Sequence, residues 1–279
     1  MWESERMADL FDARSILLTD RVVIITGAAE GIGRATARLF ARCGATLALC
    51  DRQEEPLAEL AAEIQAMGRP VLTGILDVRD AEAVTVFVEQ VSAQLGPVDV
   101  LVNNAGGTFV SAFLDTNAKG EASLIAENFT QVTHFIRCVA PVMNDGGSII
   151  NLTSIEAYQA GPGFGIYAAM KTAVESLSKT LALELGTRRI RINSISPDAQ
   201  PSEGEQEARK AMLASDPEFL PAFVPPLGFF GTPEDSAATA LFLASDLSRF
   251  ITGTSIHVDG GNWAAGGWHR PTDAAQMHP

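Results

Sequence analysis

Cysteine is scarce in this sequence of 279 residues: Cys43, Cys50 and Cys138 are its only three, and no two of them form a CxxC pair. Isolated cysteines in apolar surroundings are typical of small core residues in a reducing compartment. No apolar run is long enough to span a bilayer. Residues 1–20 mix acids with bases and have no apolar core segment, which argues against a signal peptide. We therefore predict a cytoplasmic protein.

Basic residues are also few. Lys and Arg number 20 against 34 Asp and Glu, which gives a formal net charge of −14, and the bases form no dense run. A chain with this charge repels nucleic-acid backbones and anionic membranes, so we expect neither as a partner. The four histidines, His134, His257, His269 and His278, share no metal-ligand spacing with one another or with cysteine, and we predict no metal site.

What the chain does contain is an alternation of short β-branched runs with longer amphipathic segments. "VVIITG" at 22–27 precedes an amphipathic run, and "TLALCD" at 46–51 precedes another. This alternation is typical of βαβ units, and near-continuous apolar strands indicate helices on both faces of a parallel sheet. We predict a single α/β domain with a doubly wound, Rossmann-type parallel sheet at 21–263. An N-terminal extension (1–20) and a C-terminal tail (264–279) would flank it.

A glycine-rich turn follows the first predicted strand. In "TGAAEGIGRA", Gly27, Gly31 and Gly33 would permit a tight turn, close approach of a pyrophosphate and close packing of the next helix. The spacing differs from that of a Walker A loop, and no Lys-Ser or Lys-Thr pair ends it. A tight strand-to-helix turn without a ligand has the same glycine pattern, so this motif alone does not establish a phosphate site.

Asp51, at the end of the second predicted strand, supplies that observation. A dinucleotide fold needs an acid here to accept hydrogen bonds from the adenosine ribose hydroxyls, and the same carboxylate repels a 2′-phosphate. Arg34 and Arg52 lie near enough in sequence to weaken the repulsion. We predict NAD as the cofactor, with NADP the less favoured choice.

Tyr167 and Lys171 share one face of a predicted helix, since they are four residues apart. In one interpretation Tyr167 packs on the sheet and Lys171 extends to solvent. In the other they transfer a proton, because a carbonyl that receives hydride also needs a proton. A free tyrosine, with a pKa of about 10, is a weak base at neutral pH. Lowering the pKa to about 7 takes roughly 4 kcal/mol, which the Lys171 ammonium and an oxidised nicotinamide could jointly supply.

Together with "NNAG" at 103–106 and Ser154, these motifs resemble the short-chain dehydrogenase/reductase family over roughly residues 17–263. They occur in the family's order and at plausible separations. The resemblance implies a dinucleotide site and a homotetramer or homodimer. The candidate cofactor-binding residues are Gly27, Glu30, Gly31, Ile32, Gly33, Asp51, Asp77, Val78, Asn104, Ala105, Gly106, Tyr167, Lys171, Pro197 and Gln200.

The same resemblance implies a catalytic tetrad of Asn128, Ser154, Tyr167 and Lys171. Ser154 would hydrogen-bond the substrate oxygen, and Asn128 would anchor a water that relays protons toward Lys171. Lys171 would also hold the nicotinamide ribose hydroxyls. Ser154 and Asn128 could instead be capping or turn residues.

The sequence departs from the family after the sixth strand. A Pro-Gly pair followed by a threonine is common there, whereas Asp198 follows Pro197 here and no threonine comes soon after. Asp tolerates left-handed backbone, so the turn could survive, with Gln200 contacting the nicotinamide carboxamide. Residues 198–230 show no clear periodicity, and the later part of this stretch is apolar. We predict a mobile substrate loop that closes an apolar wall over the ligand.

These features predict an oxidoreductase that transfers hydride between NAD(H) and a secondary alcohol or ketone on a largely apolar, hydroxysteroid-like or acyl-like substrate. One alternative is an NADPH-dependent 3-oxoacyl-thioester reductase, which would use the same tetrad. Another is a non-catalytic dinucleotide-binding sensor, which would not need to keep all four tetrad residues.

Overall fold

A computed structural model describes residues 12–198, 200 and 225–267 of the chain. Its centre is a seven-stranded sheet in which every pair of neighbouring strands is parallel, with the strand order 3-2-1-4-5-6-7. The strands are β1 (Val22–Thr26), β2 (Thr46–Asp51), β3 (Val71–Ile75), β4 (Val98–Asn103), β5 (Met143–Leu152), β6 (Arg191–Pro197) and β7 (Ser255–Val258).

Helices connect these strands and cover both faces of the sheet. In chain order they are α1 (Gly31–Arg42), α2 (Glu54–Ala66), α3 (Ala81–Leu95), α4 (Ala118–Ile125), α5 (Gln131–Val139), α6 (Gly165–Leu185), α7 (Pro233–Ala244) and α8 (Asn262–Ala265). A π-helical turn, Ala126–Thr130, joins α4 to α5. The predicted α/β doubly wound sheet is therefore confirmed.

Two apolar layers hold the helices on the sheet. Strand β1 is buried at all five positions, and its side chains alternate between the layers. Val23 and Ile25 pack in the layer that contains Phe40 of α1, whereas Ile24 packs on the other face with Phe135 of α5. Burial on both faces explains why the strands read as continuous apolar runs rather than as alternating patterns.

The strand order reverses direction between β1 and β4. The chain runs outward from β1 to β2 and β3, then returns to place β4 on the other side of β1. In open α/β sheets this reversal opens a crevice beyond the carboxyl ends of the strands, where ligands bind. The glycine-rich turn after β1 and the "NNAG" segment at the end of β4 meet at this crevice.

The segment before β1 belongs in part to the domain. Leu18 is fully buried in the same layer as Phe40, and its backbone N–H donates to the Cys43 carbonyl oxygen at 2.8 Å. The packed structure therefore begins before residue 21, where the sequence interpretation ended the N-terminal extension. No helix in the described ranges is both long and apolar enough to cross a membrane.

Removing the side chain of Leu101 tests the layered core. Leu101 on β4 is fully buried, so we expect Leu101→Ala to lower the free energy of unfolding by about 2–5 kcal/mol through lost transfer energy and a cavity. The matched control is Leu114→Ala, at a leucine that is 93% exposed, with an expected change within about 0.5 kcal/mol. Urea unfolding of both variants makes the comparison, and equal losses would contradict the assigned core.

Candidate active site

The turn between β1 and α1 has no room for side chains at two of its glycines. Gly27 has a φ of +64°, and a Cβ built there would lie 2.8 Å from the Ala105 Cα. A Cβ on Gly33 would lie 2.1 Å from the Gly27 carbonyl oxygen. Because both obstacles are backbone atoms, they cannot move aside as a side chain would. The turn therefore presents bare backbone at the amino terminus of α1, as an anionic phosphate requires.

Asn104 joins this turn to the end of β4. Its side-chain Nδ2 donates to the carbonyl oxygens of Thr26 at 3.0 Å and Gly27 at 2.8 Å. The backbone N–H groups of Asn104 and Ala105 donate to the Thr26 hydroxyl at 3.0 and 2.9 Å. These four bonds set the width of the crevice between the two predicted motifs.

Asp51 is held in place at the end of β2. One carboxylate oxygen accepts the Ala29 N–H at 3.0 Å, the other accepts the Gln53 N–H at 3.0 Å, and the residue is only 9% exposed. Arg34, which the sequence placed nearby, is instead committed to Glu63, with Nη2 and Oε1 2.8 Å apart. The Asp51 carboxylate is therefore held at the edge of the cleft, and Arg34 is paired with Glu63 rather than with it.

A cleft of about 380 Å³ contains most of the predicted cofactor residues. Those that line it are Gly27, Glu30, Gly31, Ile32, Asp51, Asp77, Val78, Asn104, Ala105, Gly106 and Gln200. Arg52, Gln53, Leu76 and Glu127 also line it and were not predicted. Of the predicted residues outside this lining, Gly33 packs beneath the turn and Pro197 ends β6. An ion pair with Arg79 lowers the pKa of Asp77.

Lys171 lies inside the protein and does not extend to solvent, so the first interpretation of the helix pair is wrong. It is 5% exposed, and its Nζ donates to the Leu152 carbonyl oxygen at 2.9 Å and lies 5.5 Å from the centre of the Tyr167 ring. Burial lowers the pKa of Lys171 to about 8, and the charge of Glu127 opposes this shift.

Burial also raises the pKa of Tyr167 above its ordinary value of 10.0. Hydrogen bonding with Ser154 lowers it and the charge of Glu156 raises it further, but both effects are smaller than that of burial. In the protein alone, the pKa of Tyr167 is therefore raised, whereas base catalysis needs it lowered. The positive charge of an oxidised cofactor would have to lower this pKa.

Ser154 lies two residues past the last residue of β5 and immediately before the short helical turn Ile155–Ala157. Its Oγ donates a hydrogen bond to Oε2 of Glu156, a residue that the sequence interpretation did not include. The neighbouring Thr153 donates to the buried Glu175 at 2.5 Å, which ties the end of β5 to α6. Strand β5 and α6 thus bring Ser154 close to Tyr167 and Lys171.

Asn128 lies in the π-helical turn and is fully buried. Its Nδ2 donates to the carbonyl oxygens of Gly107 at 2.8 Å and Leu124 at 3.0 Å. A Cβ on Gly106 would lie 3.1 Å from the Asn128 Oδ1 and 3.2 Å from the Lys171 Nζ, so the loop passes between them. Both amide protons are engaged, which leaves the side chain no donor for the predicted relay water.

Gln200 faces the cleft with an unpaired acceptor. Its Nε2 donates to the Val258 carbonyl oxygen at 3.2 Å, whereas its buried Oε1 has no hydrogen-bond partner among the described residues. Asp198 does not adopt the left-handed backbone that its residue type would tolerate. Its N–H donates to the Val258 carbonyl oxygen at 3.1 Å, and its carboxylate accepts from Asn262 at 2.8 Å. The Gln200 acceptor and the bare glycine turn both fit a nicotinamide dinucleotide.

The predicted apolar wall falls mostly outside the described residues. The predicted wall residues outside the described ranges are Met212, Leu213, Phe219, Leu220, Phe223 and Val224. Leu227 is the one predicted wall residue that the structure describes. An apolar wall that the sequence interpretation missed follows β4 instead. Phe109, Phe113 and Leu124 come from this stretch, and with Phe164 and Ile166 at the start of α6 they surround a gap of about 10 Å³ beside Tyr167. The signal was present, since aromatic residues in "GGTFVSAFLD" follow "NNAG" at the carboxyl end of a strand.

Comparison with known proteins assigns the family. A family model described as enoyl-(acyl carrier protein) reductase matches residues 27–262. The chain is 37% identical over 250 residues to the 3-oxoacyl-[acyl-carrier-protein] reductase FabG of Thermotoga maritima, covering 88% of this chain and 98% of that protein. The chain belongs to the short-chain dehydrogenase/reductase family.

Two further relatives extend the comparison. This short-chain dehydrogenase/reductase is 35% identical over 258 residues to a 3α-hydroxysteroid dehydrogenase of Mediterraneibacter gnavus, covering 88% and 98% of the two chains. It also resembles the solved structure of a 7α-hydroxysteroid dehydrogenase complexed with NADH and 7-oxo glycochenodeoxycholic acid. That comparison has a TM-score of 0.81 and 30% identity, and covers 90% and 97% of the two chains. The protein is therefore an oxidoreductase of CH–OH groups that uses a nicotinamide dinucleotide.

The chain's two tyrosines offer a matched test of the proton donor. We expect Tyr167→Phe to retain cofactor binding and to lower kcat at least about a hundredfold, because general acid–base catalysis contributes about 10²–10⁴-fold. Tyr158→Phe, which removes the other phenol, should keep most of the activity. Steady-state kinetics and cofactor fluorescence titration measure the two properties. Retention of more than about a tenth of kcat by Tyr167→Phe would remove it from the proton-transfer role.

The raised pKa of Tyr167 predicts a response to cofactor. In the cofactor-free protein both tyrosines should ionise only above their ordinary pKa of 10.0, because burial raises the pKa of each. Adding NAD⁺ places a positive charge nearby, so one phenolate should then form at lower pH. Near-ultraviolet absorbance records the ionisation. The shift should vanish in Tyr167→Phe and persist in Tyr158→Phe, and the reverse pattern would contradict the assignment.

Proposed function

We propose that this enzyme interconverts a secondary alcohol on an apolar, cyclic skeleton and the corresponding ketone, with NAD(H) as cofactor. The observation that carries the proposal is the position of Tyr167. It lies between the buried ammonium of Lys171 on one side and the aromatic pocket of Phe109, Phe113 and Phe164 on the other. The gap inside this cluster is only about 10 Å³, so an apolar ring would rest against the aromatic side chains rather than enter it, with its carbinol toward Tyr167. Similarity to two hydroxysteroid dehydrogenases supports this substrate class.

The chain's own residues handle the proton and the oxygen. Tyr167 takes the hydroxyl proton as the carbinol C–H bond breaks, and Ser154 contacts the same oxygen. Lys171 stabilises the phenolate by its charge and is itself held by the Leu152 carbonyl oxygen. When bound, the nicotinamide dinucleotide supplies the hydride acceptor for oxidation or the donor for reduction. In the ketone direction Tyr167 returns its proton to the oxygen.

Asp51 supports NAD as the preferred cofactor. Two backbone N–H groups hold its carboxylate at the edge of the cleft, where it can accept hydrogen bonds from the ribose hydroxyls. A 2′-phosphate would meet this charge, with Arg52 the cleft-lining residue able to offset it. Similarity to FabG supports the alternative substrate class, a 3-oxoacyl thioester, but does not change the charge at Asp51. A silent sensor would not need Lys171 and Tyr167 packed together.

Several broader features belong to the same proposal. We place the catalytic domain at 21–263, with the packed segment around Leu18 added at its start and a substrate loop at 198–230, and we expect a homotetramer or homodimer in the cytoplasm. Leu183 on α6 is 83% exposed, and an apolar side chain so placed fits a face covered by a second copy.

The cysteines fit a reducing compartment. Cys43, Cys50 and Cys138 form no disulfide, and Cys50 is buried.

The test combines cofactor choice with a substrate screen. The wild-type enzyme is assayed with a hydroxysteroid, cyclohexanol and a 3-oxoacyl thioester, each with both cofactors, by absorbance of reduced nicotinamide. We expect NAD(H) with the cyclic alcohols to exceed NADP(H) by at least about tenfold in kcat/KM, because Asp51 repels the 2′-phosphate. Asp51→Ala should reduce that ratio toward one.

Glu89→Ala is the control variant, since this exposed acid on α3 lies outside the cleft lining and should leave the cofactor ratio unchanged. Preference for NADPH and the thioester would favour the alternative. No turnover of any alcohol or ketone would overturn the proposed function altogether.

A further inference from the structure

Glu156 places a carboxylate beside the hydroxyls that must hold the substrate oxygen. It belongs to the turn Ile155–Ala157 directly after Ser154, and its Oε2 accepts the proton of the Ser154 hydroxyl. Its charge also acts on Tyr167, whose pKa it raises. Glu156 therefore faces the same point as the two catalytic hydroxyls.

Glu156 has no cationic partner in the part of the chain that the structure describes. Glu63 pairs with Arg34 and Arg38, and Asp77 pairs with Arg79, whereas Glu156 forms no ion pair within 12–198, 200 and 225–267. Its only hydrogen bond there comes from Ser154, to Oε2. The other oxygen, Oε1, is not a buried unpaired atom, so it remains open to a ligand. A half-buried carboxylate of this kind gains from a donor that a bound molecule brings.

The hydrogen bond to Glu156 also determines whether Ser154 acts as a donor or as an acceptor toward the substrate. A serine hydroxyl has one proton and two acceptor lone pairs, and an ionised carboxylate can only accept. With its proton on Glu156, Ser154 presents lone pairs to the site, while the reacting hydroxyl gives its own proton to Tyr167. In the ketone direction the Ser154 proton would turn to the carbonyl oxygen, which leaves Glu156 without a donor. A second donor on the substrate would then keep Glu156 hydrogen-bonded.

We propose that Glu156 is a specificity-determining residue that binds a second donor of the substrate, a hydroxyl or a protonated amine on the carbon next to the reacting carbinol. The inference rests on the proposed function and narrows its substrate class to vicinal diols and amino alcohols on an apolar ring. Phe109 and Phe113 contact the ring, and Glu156 contacts its polar edge. A carboxylate at the second position is rejected by charge repulsion.

The experiment uses four probes that differ only at the second carbon. Cyclohexanol, cis-cyclohexane-1,2-diol, 2-aminocyclohexanol and 2-hydroxycyclohexanecarboxylate are oxidised with NAD⁺ by the wild type, by Glu156→Gln and by the control Glu184→Gln at an exposed acid near the end of α6. We expect the diol and the amino alcohol to exceed cyclohexanol in kcat/KM by about tenfold or more, because a site built around a donor rejects analogues that lack it. The carboxylate should be the poorest substrate.

Glu156→Gln removes the charge and keeps the shape. The preference for the amino alcohol over cyclohexanol should fall at least about tenfold, and the rejection of the carboxylate should weaken. Glu184→Gln should retain the wild-type order. A purely structural Glu156 would lower all four rates together and leave their ratios unchanged, which would overturn the inference.

The remaining outcomes separate the two proposals. Equal wild-type rates with diol and cyclohexanol, or activity confined to hydroxysteroids, would overturn the role of Glu156 and leave the proposed function intact. An absence of turnover with every cyclic alcohol, hydroxysteroids included, would overturn the proposed function instead.

Discussion

The burial of the Lys171 ammonium is the constraint on which the rest of the site depends. A cation that is 5% exposed needs a fixed acceptor, and the Leu152 carbonyl oxygen at the end of β5 provides it. A side chain at Gly106 would press on both Lys171 and Asn128, since its Cβ would lie 3.2 Å from the Lys171 Nζ and 3.1 Å from the Asn128 Oδ1. Asn128 in turn uses its amide to hold Gly107. Strand β5, the loop after β4 and the π-helical turn therefore converge on one charge.

The same burial makes the proton-transfer chemistry conditional on the cofactor. It raises the pKa of Tyr167, which disfavours the phenolate, and it lowers that of Lys171 to about 8, which weakens the preference for the ammonium at neutral pH. The carboxylates of Glu127 and Glu156 each raise the pKa of a neighbour. Glu127 thereby favours the Lys171 ammonium, whereas Glu156 disfavours the Tyr167 phenolate. A positively charged nicotinamide would shift the balance toward phenolate, which couples formation of the base to binding of the cofactor that needs it.

Some expectations were wrong or incomplete where the outcome depended on distant contacts. Asp198 is held by Val258 and Asn262 rather than by left-handed backbone, since β7 lies next to β6. Leu18 belongs to the core because it reaches the end of α1 at Cys43. The family resemblance placed Asn128 in the site, but the partners of its amide follow from the π-helical turn, which has no signature in the sequence.

The sequence by itself determined the doubly wound sheet, the glycine turn, Asp51 and the pairing of Tyr167 with Lys171. These are local properties, because apolar runs, glycine positions and i,i+4 spacing depend only on nearby residues. Only the tertiary structure decided that Lys171 is buried, that Phe109 and Phe113 face Tyr167, and that Glu156 takes the Ser154 proton. Burial and charge pairing depend on which distant segments pack together, and the spacing of neighbouring residues does not specify those contacts.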